Sequence, residues 1–220
     1  MQVQRKTIMT AQRGERFFFV YSMALFLIVV TAFPIHALVN RDHLPPIRPM
    51  LHLHALLLGS WYALMVLQTG LIGRGRIGLH RSLGLASLLL VASMLPTGIW
   101  VSYENMLRTG NSHILIANSA SVTVFLIFYG LGLAKRTEAA LHKRFMLYAG
   151  LALMLPAFGR VTYIFELSPF MVLPMWLVFL LAVPVYDLIT ERKIKKATAI
   201  ALGVNLVYIA ALLAVGPPPD

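Results

Sequence analysis

The stretch MLHLHALLLGSWYALMVLQTGLIGRGRIGLHRSLG, Met50 to Gly84, decides the fold. From Met50 to Ile72 it carries no Asp, Glu, Lys or Arg. A helix crossing the hydrocarbon core needs about 20 predominantly apolar residues, because the core is about 30 Å thick at 1.5 Å rise per residue. The run meets that length and ends at a short basic turn holding Arg74, Arg76 and Arg81, after which a second apolar run begins at Leu83. Two spans joined by a basic turn define a polytopic membrane protein.

Working outward, the same ruler marks Phe17 to Leu38, Leu83 to Tyr103, His113 to Leu133, Phe145 to Ile164, Phe170 to Tyr186 and Ala197 to Val215. The expectation is therefore an all-α integral membrane bundle of seven transmembrane helices, one transmembrane domain over residues 1–220. The composition agrees, with 59% hydrophobic residues, 12% charged and a mean hydropathy of +0.77. A soluble domain of that make-up would not stay dispersed in water.

Lys and Arg fix the expected orientation, since positive loops stay on the cytoplasmic side. With the N-terminus inside, fifteen of the 19 fall inside: Arg5, Lys6, Arg13, Arg16, Arg74, Arg76, Arg81, Lys135, Arg136, Lys143, Arg144, Arg192, Lys193, Lys195 and Lys196. Outside are Arg41, Arg48 and Arg108, and Arg160 falls within a span. The C-terminus is then outside. The net charge of +11 is spread over loops that face anionic headgroups, which argues against a nucleic-acid partner and for membrane lipids. The first span has the basic lead of a signal peptide but is too long and lacks a small-residue cleavage site before Asn40, so it reads as retained. Without cysteine, disulfides, thiolate metal sites and iron–sulfur clusters are excluded. No phosphate-binding glycine loop, nucleophile elbow or HExxH motif is present, and Gly73 to Gly78 is a basic turn.

Polar groups that lipid would penalise are the informative residues. His36, His52, His54 and His113 fall near the outer surface and His80 and His142 near the inner one. At 100° per residue, His54, Trp61, Met65, Gln68 and Ile72 share a stripe, as do His80, Gly84, Ser87, Val91, Met94 and Gly98. The small residues of the second stripe would admit a close neighbour or a flat ligand. In the fifth span His142, Met146, Ala149, Leu153 and Arg160 align on one face if the helix is continuous. Arg160 would then stand about 24 Å from Arg144 along the axis. An arginine at that depth costs at least ~2.5 kcal/mol without a partner.

The run from His54 through Gly59, Trp61 and Gln68 to the His80-Arg81-Ser82-Leu83-Gly84 turn resembles the DUF2306 family of uncharacterised bacterial membrane proteins. His142-Lys143-Arg144-Phe145-Met146, Arg160 and Tyr186-Asp187-Leu188 resemble later elements of that family, so that the likeness covers about Met50 to Ala197. Where some relatives carry a histidine in the last basic turn, this chain has Lys195. The resemblance implies a multi-pass protein of the bacterial cytoplasmic (inner) membrane and brings no activity with it. The HRxLG turn, with a histidine-opened helix followed by Trp, is also similar in pattern to cytochrome b561-type proteins, which implies histidine-held haem near each membrane surface.

Three functions compete. In the first, a b-type haem protein of transmembrane electron transfer, His80 and His142 hold an inner haem and His54 and His113 an outer one. Arg81 and Arg144 would pair with the inner propionates, Arg160 with the outer, and Gln68 would contribute to the cofactor site. In the second, a membrane-embedded metal-dependent hydrolase, His80, His142 and Asp187 are three ligands at one depth. In the third, a non-enzymatic lipid-binding or small-molecule-binding membrane protein, Gln68, Asn118 and Asn205 bridge helices, and His80 pairs with Asp187 at the inner surface. In every case Asp187 is expected beside His80, His142 or Arg81, and Arg160 beside an internal polar cavity near His54 and Trp61.

Overall fold

The computed structural model describes residues 2–44 and 48–215. Its α-helices are α1 (Gln2–Val39), α2 (Pro49–Gly73), α3 (Ile77–Thr109), α4 (His113–Ala134), α5 (Ala139–Ala152), α6 (Leu155–Ile164), α7 (Val172–Glu191) and α8 (Lys196–Val215). Short 3₁₀ turns cover Arg41–His43 and Pro169–Met171, and there is no strand among the described residues. Local chemistry marks the ends. Pro49 opens α2 at the position where its missing N–H costs nothing. Gly110 closes α3 at φ 69°, in the left-handed region that glycine enters freely.

Six of these helices are long and apolar enough to cross a membrane, and α5 with α6 forms a bent pair that makes the seventh span if the two halves count as one. The expected continuous helix from Phe145 to Ile164 is thus broken, with a bend of 49° after Ala152. Pro156 supplies the cause. It has no N–H to give the carbonyl of Ala152, and its ring opposes that carbonyl, so α5 ends and α6 restarts with the proline in its first turn. The break also removes the continuous face on which His142 and Arg160 were expected to align.

α5 is the axis of the bundle. From Arg144 to Ala152 only Met146 escapes full burial. α2, α3, α4, α8, α7 and α1 follow one another around it, each packed on the next, and α1 closes the ring against α2. The first and last spans complete the core: Leu25 on one side and Ala197, Ala201 and Tyr208 on the other are buried. Tyr62 of α2 donates to the Gly150 carbonyl at 2.8 Å, and the Met65 side chain occupies the space where a Cβ on Gly150 would sit, 2.6 Å away. The outside of the ring is apolar, with Leu56, Leu85, Leu89, Val178 and Val207 exposed, whereas Arg144, Asp187, Thr198 and Asn205 are inside. An apolar exterior around a polar interior is what a bundle surrounded by lipid requires.

If α5 and α6 are one broken span, the chain crosses seven times and its ends lie on opposite sides. Paired alkaline phosphatase and green fluorescent protein fusions after Asp220, a residue outside the described ones, are expected to report an extracytoplasmic C-terminus. A fluorescent, phosphatase-silent fusion would mean that α5 and α6 re-enter on one side, leaving six crossings.

Candidate functional site

At the end of the bundle where α3 and α5 begin, the His80 and His142 rings stand 6.2 Å apart between centroids with their planes perpendicular. α4 packs between α3 and α5 over most of their length, so the two helices approach through these rings at the rim rather than as flush neighbours. His142 Nδ1 lies 2.7 Å from the Gly132 carbonyl. That carbonyl belongs to the last turn of α4, where no intrahelical donor remains. A carbonyl only accepts, so Nδ1 carries the proton and Nε2 keeps its lone pair. Across from it, His80 Nδ1 is buried without a partner among the described residues, as is Gln68 Oε1. Gln68 is held against the same face of α3, its Nε2 3.5 Å from where a Cβ on Gly84 would be. Arg81 is exposed at the rim.

The remaining inner residues have other work. Arg144 Nε donates to Asp187 Oδ1 at 2.9 Å, Nη2 donates to the same oxygen, and Nη1 donates to the Ala140 carbonyl at 2.8 Å. Thr198 Oγ1 and the Lys195 backbone N–H donate to Asp187 Oδ2 at 2.5 and 3.0 Å. Both side chains are sealed, at 1% and 0% exposure. Asp187 therefore does not pair with His80, His142 or Arg81, and it is not a third metal ligand, since its oxygens are committed to Arg144, Thr198 and Lys195. Arg144 likewise has no free face for a propionate. Among the described residues no three His, Asp or Glu side chains gather in a way that could hold a metal ion, which removes the three-ligand hydrolytic site.

The flat-ligand face expected on α3 is filled by protein. Gly84 meets the Gln68 amide, Ser87 hydrogen-bonds the Tyr129 hydroxyl at 2.7 Å, and the His54 ring covers Gly98, its Cε1 2.8 Å from an added Cβ. At the other end of the bundle His54 Nδ1 lies 3.2 Å from Thr97 Oγ1. His113 opens α4, and its Nδ1 is buried without a hydrogen-bond partner among the described residues. Arg160 donates to the Pro156 carbonyl at 2.8 Å, and its guanidinium sits 4.2 Å above the Phe33 ring. It lies within electrostatic reach of His36 and His54. No carboxylate pairs with it among the described residues. Trp61, expected beside Arg160, is instead packed edge-on against Phe125 and Tyr129. Of the groups expected to bridge helices, Asn118 does so by donating to Ser102 at 2.8 Å, while Asn205 donates within its own helix to Ala201.

Sequence reasoning missed the Gly132 carbonyl and the Arg144–Asp187 pairing. A backbone carbonyl has no signature in a sequence. The pairing had a partial one, because Asp187 directly follows the apolar run that ends at Tyr186 and an acid at the edge of a span calls for a partner.

Matched against protein-family models, curated proteins and solved structures, the chain finds no counterpart among any of them.

Removing one partner of a sealed ion pair leaves the other charge buried alone, at a cost of about 3–5 kcal/mol. Asp187→Asn and Arg144→Leu are each expected to lower the detergent melting temperature sharply. Thr198→Val, which removes one hydrogen bond of several, should cost about 1–2 kcal/mol. Equal melting of Asp187→Asn and wild type would show that the pair does not hold the bundle.

Proposed function

We propose that this chain is a multi-pass protein of the bacterial cytoplasmic membrane in which His80 and His142 would hold one b-type haem at the inner rim, a group that would supply one-electron chemistry at that face. The observation that carries the reading is the separation of the two rings. The rings of His80 and His142 stand at 6.2 Å. Two imidazoles this close could both reach one metal ion, each binding through a ring nitrogen at about 2.1 Å.

The number of ligands supports haem over a bare ion. A catalytic zinc site draws three ligands from the protein, whereas a porphyrin brings four of its own and asks the protein for two. His142 meets the usual second requirement, an axial histidine whose other nitrogen is fixed by a carbonyl, through Gly132. Arg81, exposed at the rim, is free to meet a propionate. The chain's own part is to hold both imidazoles, to set the tautomer of His142 and to place the pair beside the basic inner loops. Gly84 and Ser87, further along the same face of α3, are covered by protein.

That covered face favours a second reading, in which the imidazole pair only fastens α3 to α5 in a lipid-binding or small-molecule-binding membrane protein. The two part on colour. Protein purified from haem-replete cells is expected to show a Soret band that shifts on dithionite reduction, with one haem per chain, and His80→Ala and His142→Ala are each expected to abolish it. Colourless, iron-free wild-type protein would sink the haem reading and leave the second.

A further inference from the structure

The end of the bundle where α4 begins holds polar groups that the haem reading does not use. At the break in the central helix lies a small cavity of about 60 Å³, whose walls include His54, Gly98, Asn118, Ser121, Leu153 and Pro156 and no Asp, Glu, Lys or Arg. The hydroxyl protons around it are already spent. Thr97 has one, and lies 2.8 Å from the Met94 carbonyl and 3.2 Å from the Ser93 carbonyl, which only accept. Its oxygen therefore accepts from His54 Nδ1 at 3.2 Å, and the lone pair of His54 stays on Nε2. Ser102 donates to the Gly98 carbonyl, so it accepts from the Asn118 amide nitrogen at 2.8 Å and leaves the amide oxygen open. Leu153 adds a carbonyl released by the break, because the Ala157 N–H that a continuous helix would bring to it goes to Met154 instead.

Walls that only accept call for a donor. An anion finds nothing to bind, and a cation is opposed by the Arg160 guanidinium, which lies within electrostatic reach of His54. Water is neutral and donates. It needs at least about 10–15 Å³ and about two to four polar partners, and the cavity supplies both.

A way in is marked on the same two helices. α3 and α4 run antiparallel from the turn at Gly110, and the bond from Asn118 to Ser102 ties them beside the cavity. About one helical turn nearer that end, Asn105 Nδ2 and His113 Nδ1 are buried without a partner among the described residues. Arg108 donates to Asn105 Oδ1 at 2.6 Å, so the amide nitrogen is the atom left open. Past the cavity the seam shuts, where Ser87 is bonded to Tyr129 and Trp61 packs on Phe125 and Tyr129. From this arrangement we propose a blind aqueous inlet. Water enters between α3 and α4 past Asn105 and His113, fills the cavity at the break in the central helix, and ends on the lone pair of His54 Nε2, which it brings into exchange with the aqueous phase at that end of the bundle.

Solid-state nitrogen NMR makes the test direct. Full-length protein in lipid bilayers, isotope-labelled at its histidine and tryptophan nitrogens, is read for transfer of magnetisation from water protons, and His54→Gln serves only to assign the His54 signals. In the wild-type protein His54 is expected to show Nε2 unprotonated and to receive magnetisation about tenfold faster than the indole of Trp61, which is 1% exposed and has no hydrogen-bond partner among the described residues. Asn105→Leu combined with His113→Phe, at the mouth, is expected to slow the transfer to the rate of Trp61 with helix content and the His54 tautomer unchanged. A wild-type His54 as slow as Trp61 would mean a dry cavity and end the proposal. Transfer as fast in the folded double variant as in wild type would end it too, since water would then not come by this seam. The wild-type comparison depends on no variant's folding, and it is made at the opposite end of the bundle from His80 and His142, so its outcome is separate from whether they hold haem.

Discussion

A charge that cannot reach water must be satisfied in place, and in this bundle that constraint falls on Arg144 and Asp187. An ion pair taken from water into a medium of low dielectric repays its desolvation only when every donor and acceptor finds a partner. Here the carboxylate collects the guanidinium from α5, a hydroxyl from α8 and a backbone N–H from the turn before α8. The guanidinium gives its remaining reach to the Ala140 carbonyl in its own helix. Three helices and one turn are thereby tied to a single point near the end of the bundle where α5 begins. α1 joins through aromatic packing: Phe17 stacks on Tyr186 at 4.2 Å, and the Arg144 guanidinium stands 5.9 Å from both the Phe18 and the Tyr186 rings. Breaking the pair would loosen the axis on which the other helices rest.

With its inner end fixed, the central helix can be interrupted further along without losing its place. The interruption at Pro156 stands between helices that supply other partners, as the Tyr62 hydroxyl does for the Gly150 carbonyl. Non-helical backbone survives at membrane depth where protein or a cavity surrounds it, and α5 is packed against α4, α8, α1 and α7. The bend turns Arg160 off the line of His142 and toward α1, where Phe33 receives it. One proline therefore separates the polar groups of the bundle into an inner set and an outer set that no continuous helix face connects.

The bundle was legible because lipid makes a simple demand on sequence. Runs such as Met50 to Ile72 are long and free of charge, and the structure returns that run as Pro49–Gly73. The ends of α3 were not legible: it extends from Ile77 to Thr109, beyond the expected Leu83 to Tyr103, because polar residues at the membrane surface stay helical while the chain leaves the apolar layer. Periodicity placed His80 on a face of α3, but it could not say that Gln68 would fill the face at Gly84, since that depends on how α2 sits against α3. The same limit hid the pairing of Arg144. Its position near the basic turn made it look like a surface residue, whereas burial is a property of the whole ring around α5.

Polar groups in lipid sort themselves by whether the protein satisfies them. Ser121 with Tyr208, Ser87 with Tyr129, Asn118 with Ser102 and Asp187 with its donors are closed, and closed groups hold helices together. Among the described residues the buried atoms left open are His80 Nδ1, Gln68 Oε1, His113 Nδ1, Asn105 Nδ2 and the two indole nitrogens of Trp61 and Trp176. The indoles lie among aromatic rings, a tolerable setting for a weak donor. The imidazole and the amide near the inner rim have no such setting, and a buried acceptor or donor left unmade costs about 1–3 kcal/mol each. His113 and Asn105 stand open in the same way at the far end, so the polar groups that the bundle leaves unclosed lie at both of its ends and not along its axis.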